Sequence, residues 1–132
     1  MARFLVDTSV WIEFLRGRLK PNVYSNLSEG IRLNLAVMTD IIRHEILVGT
    51  RDAPHFRELK GLFSHLEFLR VTDEELPAFE EFAWSLGRQG FLGKYTDASI
   101  AFLASRHRLP LLTFDRYFNL LARKGILQLI KF

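Results

Sequence analysis

Five short apolar runs, at Arg3 to Asp7, Leu33 to Met38, Glu67 to Val71, Leu111 to Phe114 and Ile126 to Lys131, punctuate a chain of 132 residues. They have the length of strands, while the stretches between them repeat apolar positions at three and four residues, the spacing of helices. Strands alternating with helices lead to a parallel sheet covered on both faces, because each crossover lays its helix against one face. The expectation is an α/β chain: a three-layer α/β/α sandwich whose central sheet has about five mostly parallel strands joined by right-handed crossovers.

Local signals mark the helix ends. From Thr8, the positions Val10, Trp11, Phe14 and Leu15 predict a helix that Gly17 closes, and Pro21 opens a second running through Leu27 and stopping at Gly30. Thr39 is placed to cap a helix reaching about Val48, with Gly49 behind it, and Pro54 to Leu66 is helical in pattern. Asp73, Glu74 and Glu75 precede a helix carrying Phe79, Phe82, Ala83 and Leu86, and Gly87 to Gly93 is a glycine-rich loop. Thr96 to His107 is apolar on most sides and so is expected to be buried; Asp115 can cap a last helix that reaches Lys124 and ends at Gly125. No repeat or linker interrupts residues 1–132, which are expected to form one domain.

Composition removes several chemistries. The chain is 48% hydrophobic and 25% charged, the balance of a packed globule, and it has no cysteine. Disulfides, thiolate nucleophiles and cysteine-ligated zinc or iron–sulfur clusters are thereby excluded. Asp7 follows the first apolar residues too soon for a signal-peptide core, and no run has the length of a membrane span, so the expectation is a soluble cytoplasmic protein that does not enter a membrane. His44-Glu45 would open a zincin string, but Val48 stands where its second histidine belongs. Gly87 and Gly93-Lys94 miss the phosphate-loop spacing, Tyr95 replaces its hydroxyl residue, and no G-x-S-x-G occurs.

Four carboxylates are less easily set aside. Asp7 and Asp115 end apolar runs, and in open parallel sheets ligands gather at the carboxyl ends of strands. Each could equally cap the helix behind it. Glu45 falls within the stripe of Ile41, Ile42, Val48 and Gly49, which predicts a carboxylate on a core face; there it would be neutralised, paired with a buried cation such as arginine, or bound to metal. Asp97 lies in the first turn of its helix, favourable for any acid, and shares its face with Ile100, Ala101 and Ala104. Converging, the four would make a hard-oxygen site suited to Mg²⁺ or Mn²⁺. The net charge is +3, and setting these acids aside leaves eleven of the 15 acidic residues against 18 lysines and arginines, a basic surround for an acidic centre. Such an arrangement suits a polyanion held by its backbone. Arg16, Arg18 and Lys20 cluster after the first helix, Arg43 and Arg51 flank Glu45, Lys94 precedes Asp97 and Arg116 follows Asp115, each open to phosphate contact or to plain solvation.

In order along the chain, Phe4-Leu5-Val6-Asp7-Thr8-Ser9-Val10-Trp11-Ile12, Glu45 within Arg43 to Gly49, Thr96-Asp97-Ala98-Ser99-Ile100-Ala101 and Leu111-Leu112-Thr113-Phe114-Asp115 resemble the four motifs of the PIN-domain nucleases, and most of all VapC-type toxins of toxin–antitoxin pairs. The resemblance implies a PIN domain over 1–132 and a Mg²⁺- or Mn²⁺-dependent endoribonuclease. Asp7, Glu45, Asp97 and Asp115 would be its catalytic and metal-binding acids, with Thr8, Ser9 and Thr113 as polar support. It further implies a homodimer restrained by a VapB-like antitoxin whose C-terminal segment covers the groove. Many relatives carry a further acid after the last motif, where this chain has Tyr117 and Asn119; Asn119 could offer a neutral oxygen or simply serve the helix. Two other readings stand beside this one. The first is a PIN-like module that binds RNA or a partner without cutting. The second is a receiver-like phosphoacceptor, which lacks the paired acids expected beside the first strand.

Overall fold

The computed structural model describes residues 1–132. In chain order its elements are β1 (Phe4–Val6), α1 (Thr8–Leu15), α2 (Pro21–Arg32), β2 (Ala36–Thr39), α3 (Asp40–Val48), α4 (Ala53–Phe63), β3 (Glu67–Leu69), α5 (Leu76–Arg88), α6 (Tyr95–Arg106), β4 (Leu111–Leu112) and α7 (Arg116–Arg123). Strand order is β3-β2-β1-β4, with every pairing parallel. Every residue of β1 and β2 is buried. Successive strand residues point to opposite faces, so both faces must be covered, as the sandwich requires.

The sheet has four strands rather than the expected five. Residues 126–131 touch it through a single parallel bridge between Leu111 and Leu129, with Leu111 N–H donating to Gln128 O at 2.9 Å and Ile130 N–H to Leu111 O at 3.0 Å. The physical reason lies in β4, which stops at Leu112 instead of Phe114. On its β1 side the ladder is ended by Phe114 N–H donating to Ser9 Oγ at 3.1 Å, and Asp115 N–H turns back to Thr113 Oγ1 at 2.9 Å. So short a strand cannot support a longer ladder.

The second correction concerns Gly30, which does not stop its helix. α2 runs on to Arg32, and Asn34, with φ of 58°, makes the left-handed turn beyond it. Gly30 is buried against β1; a Cβ there would stand 2.5 Å from Phe4 Cζ, so its lack of a side chain lets α2 cross the sheet closely. Elsewhere the expected elements are found with small shifts at their ends. Thr39 caps α3 by accepting Ile42 N–H at 3.2 Å, and α6 buries Ala98 through Ala104 without interruption.

This order positions a site. From β1 the chain winds outward through β2 to β3, then returns past β1 to lay β4 on its other side. Between β1 and β4 the winding reverses, opening a crevice at their carboxyl ends, where open α/β sheets take their ligands.

Candidate functional site

Asp7 follows β1 directly and is 4% exposed. It occupies the N-cap position of α1, yet its side chain makes no capping bond, which sets the capping alternative aside. Its Oδ2 instead accepts Ser9 Oγ at 2.8 Å and Thr113 Oγ1 at 2.9 Å. Those hydroxyls also accept the amides of Phe114 and Asp115, so their own protons are directed at Asp7. Oδ2 is thus fixed as an acceptor, and any proton on this carboxyl sits on Oδ1. Burial pushes the Asp7 carboxyl above its ordinary range; the two hydroxyls draw it back, and the charge of Asp115 raises it further.

Asp115 does cap its helix, its Oδ1 accepting Tyr117 N–H at 2.9 Å. Asp97, in the first turn of α6, is half-buried and also held above the usual carboxylate range, first by burial, then by the charges of Asp115 and Asp7, with Lys94 opposing. Asp7, Asp97 and Asp115 therefore lie within one another's electrostatic reach at the β1/β4 crevice.

Glu45 corrects the sequence expectation. The buried residues of α3 are Ile42 and Ile46, whereas Val48, expected on the core side, is 68% exposed. The core stripe is centred one step round from the expected one, and Glu45 stands at its margin as an exposed residue. No buried cation is needed, and none pairs with it. Its one hydrogen bond comes from Thr8 Oγ1 at 3.2 Å, which links it to the first turn of α1.

Asn119 uses its side-chain amide N–H to bond Asp115 O at 2.9 Å within the first turn of α7. Two residues outside the expected set stand close to the acids. Tyr117 donates its hydroxyl to Phe91 O at 2.7 Å, and burial together with the charges of Asp97 and Asp115 raises its pKa. Gly93 lies against it: a Cβ would come within 2.7 Å of the Tyr117 hydroxyl and 3.4 Å of Asp97 Cβ. The glycine loop thus folds onto α7 beside Asp97. The replacement of an acid by Tyr117 and the run of glycines are both visible in the sequence, but nothing there joins them.

Near neutral pH a hard divalent ion suits this group of carboxylates, two of which, Asp7 and Asp97, are held above their ordinary range by burial and neighbouring negative charge, since it offsets that repulsion. The donors are oxygen throughout, which fits Mg²⁺ or Mn²⁺ and not a thiophilic metal. No three carboxylate or imidazole groups converge as a finished ligand cage. Asp7 and Asp115 are satisfied by hydroxyls and backbone amides, as separated like charges would be.

Fold and site together define a parallel α/β protein with an acidic crevice at its topological switch point. The PIN domain model matches residues 4–124, and the chain belongs to that family. No curated protein sequence matches it. Among solved structures it is similar to a chain of the DNA-bound VapBC from Salmonella typhimurium, with a TM-score of 0.78, 18% identity and 98% of each chain covered. VapBC2 from Rickettsia felis, bound to a promoter DNA fragment, gives 0.76 at 18% identity over 96% of each chain. VapBC-5 from Mycobacterium tuberculosis, described as a member of the VapBC family of toxin–antitoxin systems, gives 0.65 at 20% identity over the full length of both. No helix is long and apolar enough to cross a membrane.

Proposed function

We propose that this chain is a Mg²⁺- or Mn²⁺-dependent endoribonuclease, the toxin of a type II toxin–antitoxin pair. The observation that carries this reading is the placement of Asp7, Asp97 and Asp115 at the β1/β4 crevice, with the Asp7 and Asp97 carboxyls raised by burial and by neighbouring acids. Such an arrangement would be a cost to the fold unless it served to collect a cation. Asp7 through Oδ1, Asp97 and Asp115 would hold the ion, and Glu45 would complete the set from α3. Bound there, a divalent ion supplies a water made nucleophilic near neutral pH and stabilises charge on the leaving oxygen. The chain's own part is to aim these oxygens: Ser9 and Thr113 fix Asp7, and the α7 cap fixes Asp115.

The similarity to chains of VapBC complexes supports a VapB-like antitoxin as partner; a homodimer working in the cytoplasm completes the proposal. The test is purified protein, freed of any partner, incubated with end-labelled total RNA and Mg²⁺ or Mn²⁺, beside EDTA and Asp7→Ala controls. Discrete cuts lost in both controls are expected. Absence of cleavage across RNA classes, despite measured metal binding, would replace the nuclease with a PIN module that binds without cutting.

A further inference from the structure

A second cleft of about 620 Å³ is lined by Thr8, the residue after Asp7, and by Glu45. Its other polar lining includes Arg16, Arg18, Arg51 and His55. None of the three arginines forms an ion pair, whereas Arg3, Arg32 and Arg106 do. Even Glu45, in the same cleft, pairs with none of them. Three arginines against the single carboxylate of Glu45 leave the cleft with an excess of positive charge, which an anion brought from outside would offset.

Local structure directs them there. α1 ends in a Schellman turn: Arg18 N–H donates to Glu13 O at 2.8 Å, Gly17 N–H donates to Phe14 O at 3.1 Å, and Gly17 has φ of 67°. The turn places Arg16 and Arg18, on either side of the glycine, against one cleft. Arg51 comes from the loop between α3 and α4, and His55 from the first turn of α4. The His55 backbone N–H is taken by the Asp52 cap at 2.8 Å, but its ring Nδ1 is buried without a hydrogen-bond partner. His55 therefore shares the cleft with three unpaired arginines while its own ring is held by no hydrogen bond at Nδ1, so the imidazole is free to turn an N–H toward a phosphate oxygen.

We propose that this cleft is a phosphate subsite for single-stranded RNA, in which Arg16, Arg18, Arg51 and His55 hold a backbone phosphate next to the one presented to the acidic crevice. The inference rests on the nuclease reading for its substrate, but its test does not depend on cleavage. A fluorescent single-stranded oligoribonucleotide is titrated in EDTA with Asp7→Asn protein, and with the same protein carrying Arg16→Gln, Arg18→Gln and Arg51→Gln, over a range of KCl concentrations. Removing one phosphate-binding cation lowers the slope of log affinity against log salt by about 0.7. The triple variant is expected to bind at least tenfold more weakly at about 0.1 M salt, with the slope smaller by about 2. A control with Arg70→Gln, Arg123→Gln and Lys124→Gln removes equal charge elsewhere and should keep most of the slope. If both triples lose affinity alike, the cleft is no subsite. Should the triple variant fail to fold, Arg51→Gln alone is expected to lower the slope by about 0.7. If the unmutated chain cuts RNA but the cleft variants leave affinity and slope unchanged, this proposal falls and the nuclease stands. If the chain never cuts but the fall in slope is confined to the cleft, the nuclease falls and the RNA subsite stands. Loss of binding to an acidic peptide, with RNA affinity intact, would assign the cleft to a protein partner instead and overturn the inference.

Discussion

Asp7 enters the crevice from a buried strand end and is gripped by two hydroxyls at 2.8 and 2.9 Å, whereas Glu45 stands exposed on α3 with one bond of 3.2 Å from Thr8. Both are acids of matching motifs, yet the fold treats them differently. The Asp7 side is assembled before any ligand arrives, with hydroxyls that are themselves anchored to the amides of residues 114 and 115. The Glu45 side has no such anchorage and can adjust to an ion or to a neighbouring strand of nucleic acid. Rigidity on one side and adjustment on the other imply that substitutions on the two sides should differ in size and in whether extra metal rescues them.

The largest effect is expected at Asp7. Asp7→Asn should lower RNA cleavage by about 1000-fold, since a metal centre contributes several kcal/mol to the transition state and each 1.4 kcal/mol is about tenfold. The metal-free fold should survive the change. A carboxyl raised in the folded state binds its proton more tightly there than in the unfolded chain, so its contribution favours folding at low pH and is lost as pH rises from 3.8 through the raised value. Removing the charge should therefore make the metal-free variant at least as resistant to urea at pH 7 as the parent, with the gain vanishing in acid; unfolding at lower urea would contradict the account of Asp7.

Next is Thr113→Val, which removes a donor to Asp7 and an acceptor for Asp115 N–H together. A group left half-buried without its partner costs about 1 to 3 kcal/mol, so the urea midpoint should fall and cleavage should drop by about tenfold to 100-fold. Glu45→Gln should weaken cleavage only about tenfold, and raised Mn²⁺ should restore most of it, because on the proposed reading that side would help to gather the ion instead of forming its fixed base. Rescue of Asp7→Asn by metal to the same degree would erase the distinction between the two sides. Thr8→Ala is the smallest: one exposed bond of 3.2 Å is worth about 0.5 to 1 kcal/mol, a factor of about 2 to 5 in rate. Metal affinity offers a check that needs no variant. Asp7 and Asp97 must lose raised protons to bind a cation, so affinity followed by calorimetry should climb with pH beyond the range in which ordinary aspartates have finished titrating.

Much of this arrangement is legible in the residues because it follows from short-range rules. Apolar runs of strand length, Gly17 behind α1 and Thr39 before α3 each act within a few positions, and the structure has them where expected. The strand-end places of Asp7 and Asp115 follow from the same patterns. What the residues leave hidden depends on contacts between distant segments. The burial of Gly30 against Phe4 and the closure of the 87–93 loop onto Tyr117 are matters of close packing, which has no periodic signature. Glu45 misleads for a related reason: in a nine-residue helix the apolar residues at 41, 42, 46, 47 and 48 spread beyond one face, and the exposed Val48 pulls the apparent stripe away from the buried side of Ile42 and Ile46. β4 ends early because side chains of α1 and of its own next residue take its amides, a competition invisible in an apolar run.

The bond from Thr113 to Asp7 joins residues 106 positions apart. A growing polypeptide exposes Asp7 long before Thr113 and Asp115, so a nascent chain that has not yet reached them carries Asp7 without part of the support that fixes it. The crevice of the proposed nuclease is therefore complete only once β4 takes its place beside β1. On the proposed toxin reading, that delay would give an antitoxin time to be present before the first cut.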